Sequence, residues 1–137
     1  VTLAVRNQSI NRAECLASDV KMVTEKTVCV TSIDKLPQNI DLLINATPVG
    51  MFPNILQMPI ADANLKNCNA VFDAVYNPTE TLFIKNARSN GLKVTSGMSM
   101  LVFQAVFAHK IWTGSTFSDN DIFQLIIDSK EFLKKFG

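Results

Sequence analysis

Histidine, tyrosine and tryptophan each occur once in this sequence, and cysteine only three times. One histidine and three scattered cysteines (Cys15, Cys29, Cys68), with no CxxC pair, leave no metal-ligand spacing and no disulfide framework. The thiols read as small core or surface side chains of a protein kept in a reducing compartment, so a cytoplasmic location is expected. No apolar run nears the ~20 residues of a membrane-spanning helix, so no membrane is expected as a partner. Neither sign of charge dominates: 13 Lys and Arg stand against 12 Asp and Glu, for a net charge of +1. With the cations dispersed there is no basic field for nucleic acid. Val1 opens directly into strand-like sequence, so no signal peptide is expected. There is no internal repeat and no low-complexity tract.

What is there is apolar material in regular alternation. At 137 residues, 47% hydrophobic and 18% charged, the chain has the size and content of one cored domain. Thr2 to Val5 reads as a strand that begins without a lead-in. Ile10 to about Ala17 follows as a short helix capped by Asn7 or Ser9. Lys26 to Thr31 alternates as a strand. Leu42-Leu43-Ile44 is a continuous apolar run that fits a parallel strand buried on both faces, stopped at Asn45-Ala46-Thr47-Pro48. A long loop with two prolines and at most a helical turn covers 51–69. Ala70 to Tyr76 is a strand, after which Asn77, Pro78 and Glu80 predict a capped helix that ends at Gly91. Leu92 to Thr95 is a short strand. Met98 to Trp112, apolar almost all round, predicts a buried helix. Ser118 and Asp121 form a capping box for a last helix striped by Ile122, Leu125, Ile126, Leu133 and Phe136. Strands alternating with helices predict an α/β fold with a parallel, doubly wound sheet and right-handed crossovers.

In such a sheet ligands sit beyond the carboxyl ends of the strands. Arg6-Asn7, Ala46-Thr47 and the segment from Asp73 to Asn77 would share that edge, with the turn at Gly97 close by. The segments INATPVGM (Ile44 to Met51), FDAVYNPTET (Phe72 to Thr81), SGMSMLVFQA (Ser96 to Ala105) and IWTG (Ile111 to Gly114) together resemble the shikimate dehydrogenase family. That resemblance implies a Rossmann-like cofactor domain spanning 1–137, without its first strand and glycine-rich loop and without the preceding substrate domain. It also implies reduction of 3-dehydroshikimate to shikimate as the activity of the whole enzyme. A quinate-accepting paralogue and a non-catalytic nucleotide-binding module are the alternatives.

Where an NAD-binding fold places an acid to hold the ribose 2′-hydroxyl, this chain has Val5-Arg6-Asn7. A guanidinium there binds a 2′-phosphate through two charge-assisted hydrogen bonds, so NADP is the expected cofactor. The family pattern, Asn-Arg-Thr with a second basic residue shortly after, carries over to Arg6. It departs at Val5 and Asn7, and the second cation falls on Arg12, which reads equally as a solvated helix residue. Ala46, Thr47, Ala74 and Gly97 resemble the family's nicotinamide floor, where small side chains allow close approach; simple packing is the other reading of the alanines. Tyr76 and Gln104 resemble the two substrate contacts. Gln104 is the sole long polar side chain between Met98 and Ala108, and a buried amide would need a partner, either a ligand hydroxyl or backbone. The catalytic proton-relaying Lys and Asp of the family belong to the absent domain. His109, five residues past Gln104, reads as structural. The expected partners are thus a small-molecule substrate and, through the apolar stripe of the last helix, further copies of the chain itself.

Overall fold

The computed structural model describes residues 1–136, and the side chain of Phe136 lies outside what it describes. Two compact units divide the chain, Val1–Gln38 and Asn39–Gly137.

The first unit holds β1 (Thr2–Val5), a 3-10 turn at Asn7–Ser9, α1 (Ile10–Thr24) and β2 (Cys29–Ser32). β1 and β2 pair in parallel, Thr2 beside Cys29 and Val5 beside Ser32. Ser9 is the N-cap of α1, as expected, although its side chain makes no capping bond. The helix runs a further seven residues past Ala17 and ends at Thr24, where Glu25, in the left-handed region at φ 59°, donates its N–H to Lys21 O at 3.0 Å. Short polar stretches such as Ser18-Asp19 hid that extension, because they lie on its wet side. β2 is shifted C-terminally from the predicted Lys26–Thr31 span for the same reason that β1 exists: a ladder forms only where both strands find partners.

The second unit holds β3 (Ile40–Asn45), a 3-10 segment at Asp62–Asn67, β4 (Cys68–Asp73), α2 (Leu82–Ser89), β5 (Lys93–Ser96), α3 (Gly97–Thr113) and α4 (Asp119–Phe136). Its sheet runs β3-β4-β5, parallel throughout. The core gathers Leu65, Val71, Val75, Phe83, Ile84, Ala87 and Met98, all buried. Val102 and Val106 continue it along α3, covered by Phe117, Ile122, Ile126 and Leu133. The Ser118–Asp121 capping box forms as predicted: Ser118 N–H donates to Asp121 Oδ2 at 3.0 Å and Asp121 N–H to Ser118 Oγ at 3.2 Å. The Ser118 hydroxyl, which donates to Asp121 Oδ2 at 2.8 Å, and after it the Ser118 N–H hold the Asp121 carboxyl below its ordinary value.

Three expectations need correction. β3 is an edge strand rather than one buried on both faces: Leu42 and Ile44 are 52% and 54% exposed, because β4 is its sole ladder partner. α3 is buried along one stripe only, with Phe103, Phe107, Ile111 and Trp112 exposed, so its all-round apolarity does not report all-round burial. α2 is capped by Thr81, not by Asn77 with Glu80. Asn77-Pro78 is a cis peptide in the preceding loop, and Glu80 pairs with Arg88 instead. β1 and β3 share no ladder, and the five strands fall into two sheets.

Candidate functional site

The register of the second unit's sheet sets its rim. Asn45 pairs with Asp73 and Asp73 with Ser96, so three parallel strands end level with one another. The residues that follow them are Ala46-Thr47, Ala74-Val75-Tyr76 and Gly97. The loops are zipped together there: Ala74 N–H donates to Asn45 O at 2.9 Å, and Gly97 N–H to Val75 O at 3.2 Å. The rim thus brings Ala46, Thr47, Ala74, Tyr76 and Gly97 together, while Arg6 and Asn7, which the sequence predicts on the same edge, belong to the first unit.

A buried polar network under the rim fixes its shape. Asp73, fully buried, accepts from Asn45 Nδ2 at 2.9 Å, Val75 N–H at 3.0 Å and Thr81 Oγ1 at 2.5 Å. Asn45 in turn accepts from the Thr47 hydroxyl at 2.7 Å and Thr47 N–H at 3.1 Å, and donates to Val49 O at 3.2 Å. One carboxylate and one amide therefore organise both turns at the rim, and no buried side-chain polar atom among the described residues lacks a partner. These residues were not singled out from the sequence as functional. Their signal was present, since each is a polar residue ending an apolar run.

Gly97 is required by space. A Cβ at that position would lie 2.1 Å from Ala74 O and 2.8 Å from Val75 O, so α3 can begin against the β4 loop only with bare backbone. Leu101 and Gln104 follow at i+4 and i+7, on the face that Gly97 turns toward Ala74, with Gln104 about 10 Å up the helix. Gln104 is exposed, so the burial argument for a partner does not hold; the amide is open to solvent. Tyr76, 42% exposed, lines an apolar groove of about 540 Å³ with Met98, Leu101, Val102 and Leu133. His109 turns to its own helix and loop, with Nδ1 3.1 Å from Thr113 Oγ1 and its ring edge-on to Phe117 at 5.4 Å.

In the first unit, Arg6 leaves β1 in an extended conformation and its carbonyl accepts from Ser9 N–H at 2.8 Å. Arg6 and Arg12 are both exposed, and neither pairs with a carboxylate among the described residues, so both are open to an anion. Asn7 does not stand free: its Nδ2 donates to Asp34 Oδ2 at 3.3 Å. No group of His, Cys, Asp and Glu among the described residues could hold a metal. Cys15 and Cys29 are exposed and free, while burial pushes the Cys68 thiol up from its ordinary value. Among the described residues no helix is long and apolar enough to cross a membrane.

No family model matches the chain. It is similar to the shikimate dehydrogenase (NADP(+)) of Caldanaerobacter subterraneus subsp. tengcongensis, 37% identical over 127 residues, which is 91% of this chain and 45% of that protein. Among solved structures, a shikimate dehydrogenase in complex with NADP+ superposes with a TM-score of 0.80 at 34% identity, covering 93% of this chain and 46% of the other. Quinate dehydrogenase from Corynebacterium glutamicum in complex with NAD follows at a TM-score of 0.76 and 27% identity, with 93% and 46% covered. The chain spans somewhat under half the length of each.

Proposed function

This chain is a relative of the shikimate dehydrogenases across about 45% of their length, and from that premise we propose that it is the nucleotide-binding part of an NADP-dependent oxidoreductase interconverting 3-dehydroshikimate and shikimate. The observation that carries the reading is the Gly97 contact. Backbone pressed to backbone beside Ala46, Thr47 and Ala74 leaves a floor on which a flat ring can lie close to a reacting carbon. When bound, the nicotinamide supplies a hydride to the carbonyl carbon.

The chain's own residues bind and orient. Arg6, with Arg12 as a second cation and Asn7 at the turn, is assigned to the 2′-phosphate. Ala46, Thr47, Ala74 and Gly97 are assigned to the nicotinamide end, and Tyr76 and Gln104 to the hydroxyls and carboxylate of the substrate, which suits their exposed phenol and amide. The proton that the carbonyl oxygen must receive is assigned to residues beyond the stretch this chain shares with its relatives. The 137 residues alone are then expected to be inactive.

The similarity to a quinate dehydrogenase keeps quinate as a second substrate reading. The test is a spectrophotometric assay of the intact protein that carries this chain, with shikimate and quinate against NADP and NAD. Turnover of shikimate with NADP is expected. Turnover of quinate alone would favour the second reading, and binding of neither nucleotide would overturn both.

A further inference from the structure

The first unit contains a carboxylate that sequence order places far from Arg6. Asp34 lies two residues beyond β2, yet its Oδ2 accepts from Asn7 Nδ2 at 3.3 Å and from Ser32 Oγ at 3.3 Å. Asp34 N–H donates back to Ser32 Oγ at 3.2 Å, and Ser32 is 8% exposed, so the carboxylate stands on a fixed base. Resting on the NADP reading above, we propose that Asp34 tunes the nucleotide selectivity of the β1 turn so that NAD is accepted alongside NADP.

Two physical effects lead there. A carboxylate is an acceptor only, so it draws the Asn7 amide nitrogen toward itself and leaves the Asn7 carbonyl oxygen facing outward. That oxygen accepts from a ribose hydroxyl but opposes a phosphate oxygen. The charge acts in the same direction. One side chain and one peptide unit separate Asp34 from the Arg6 backbone, about 10 Å, which is slightly more than a Debye length at physiological salt, so the charge acts weakly and the Asn7 orientation is the larger effect. Arg6 attracts a 2′-phosphate and Asp34 offsets part of that attraction, so the turn discriminates weakly. No carboxylate pairs with Arg6 itself among the described residues, so the guanidinium stays available to either nucleotide.

The experiment is calorimetric titration of the intact protein with NADP and with NAD, for the native sequence and for Asp34→Asn, Asp34→Ala and Asp34→Ser. Asp34→Asn keeps an acceptor for Asn7 and removes only the charge; the ratio of NADP to NAD affinity is expected to rise by up to about twofold at low salt, the Coulomb effect of one exposed charge on a phosphate at this range. Asp34→Ala and Asp34→Ser also free the Asn7 amide, and the ratio is expected to rise further, with NAD affinity held within twofold. Equal losses for both nucleotides would mean a merely structural role and overturn the proposal, as would a ratio unchanged in all three variants. If the native protein binds neither nucleotide, the NADP reading falls with it; if it binds NADP and the ratio does not move, only the selectivity inference falls.

Discussion

Asp73 is a buried carboxylate with no cation paired to it among the described residues, compensated by an amide, a backbone N–H and a hydroxyl. Removing the side chain strands all three donors at once, and each buried, unsatisfied donor costs about 1–3 kcal/mol. Asp73→Ala is therefore expected to lose about 3–5 kcal/mol in urea denaturation. Asp73→Asn is expected to lose about 1–2, because its carbonyl keeps Asn45 and Val75 while its amide meets a Thr81 hydroxyl that can turn to accept. Equal losses for the two variants would show that volume, not hydrogen bonding, sets the cost. The residues that touch ligand in the proposal were easier to find in the sequence than these. Small side chains and an arginine after apolar runs are local signals, whereas Asn45 meets Asp73 across 28 positions through the register of β3 on β4. Asp34 was missed for the same reason, lying 27 positions from Asn7.

Among the elements, α2 shows how local and tertiary signals compete. Asn77, Pro78 and Glu80 make a plausible start, yet the helix begins at Leu82, because Thr81 has two uses at once. Its Oγ1 accepts from Ile84 N–H at 3.3 Å as a cap and donates to Asp73 at 2.5 Å. A hydroxyl that closes both bonds outcompetes an asparagine that would close one. Thr81→Val, near-isosteric, is expected to cost about 2–4 kcal/mol, since it removes a cap worth about 1 kcal/mol and leaves a buried carboxylate oxygen short of a donor. Thr81→Ser, which keeps the hydroxyl and gives up one methyl, is expected to cost about 1 kcal/mol. Thermal denaturation of both variants beside the native chain checks the pair, and a Thr81→Val as stable as Thr81→Ser would refute the double role. The α4 box shows the opposite case. Ser118 and Asp121 are close in sequence and exposed, nothing tertiary competes, and the motif was fully legible. Short apolar or alternating runs marked each strand, but not which would lie at an edge, because an apolar run reads the same whether or not a neighbour covers it.

At the scale of the molecule the two units are unequally supplied with core. Of the buried apolar residues, Ala13 alone belongs to Val1–Gln38; the rest lie in the second unit, with Ser32 the first unit's other buried side chain. A two-stranded ladder backed by one helix, with so little apolar surface withdrawn from water, has marginal stability of its own. Local opening free energies follow buried contacts, so they should differ sharply between the units. In native-state hydrogen exchange on the 137-residue chain, the amides of β4, flanked on both sides and lying over Phe83 and Ile84, are expected to exchange slowest. Those of β1 and β2 are expected to exchange at least a hundredfold faster, which corresponds to about 3 kcal/mol less protection at two factors of ten. Equal protection in both units would mean that the first is held by something other than its own packing. A marginal first unit also bears on the proposed cofactor turn. Arg6, Asn7 and Asp34 all sit on β1 and β2 ends, so a nucleotide that binds them must also order them, and that ordering draws on its binding energy. Adding NADP at saturating concentration should therefore slow exchange in β1 and β2 more than in β4. A uniform slowing, or none, would count against Arg6 as an anchor.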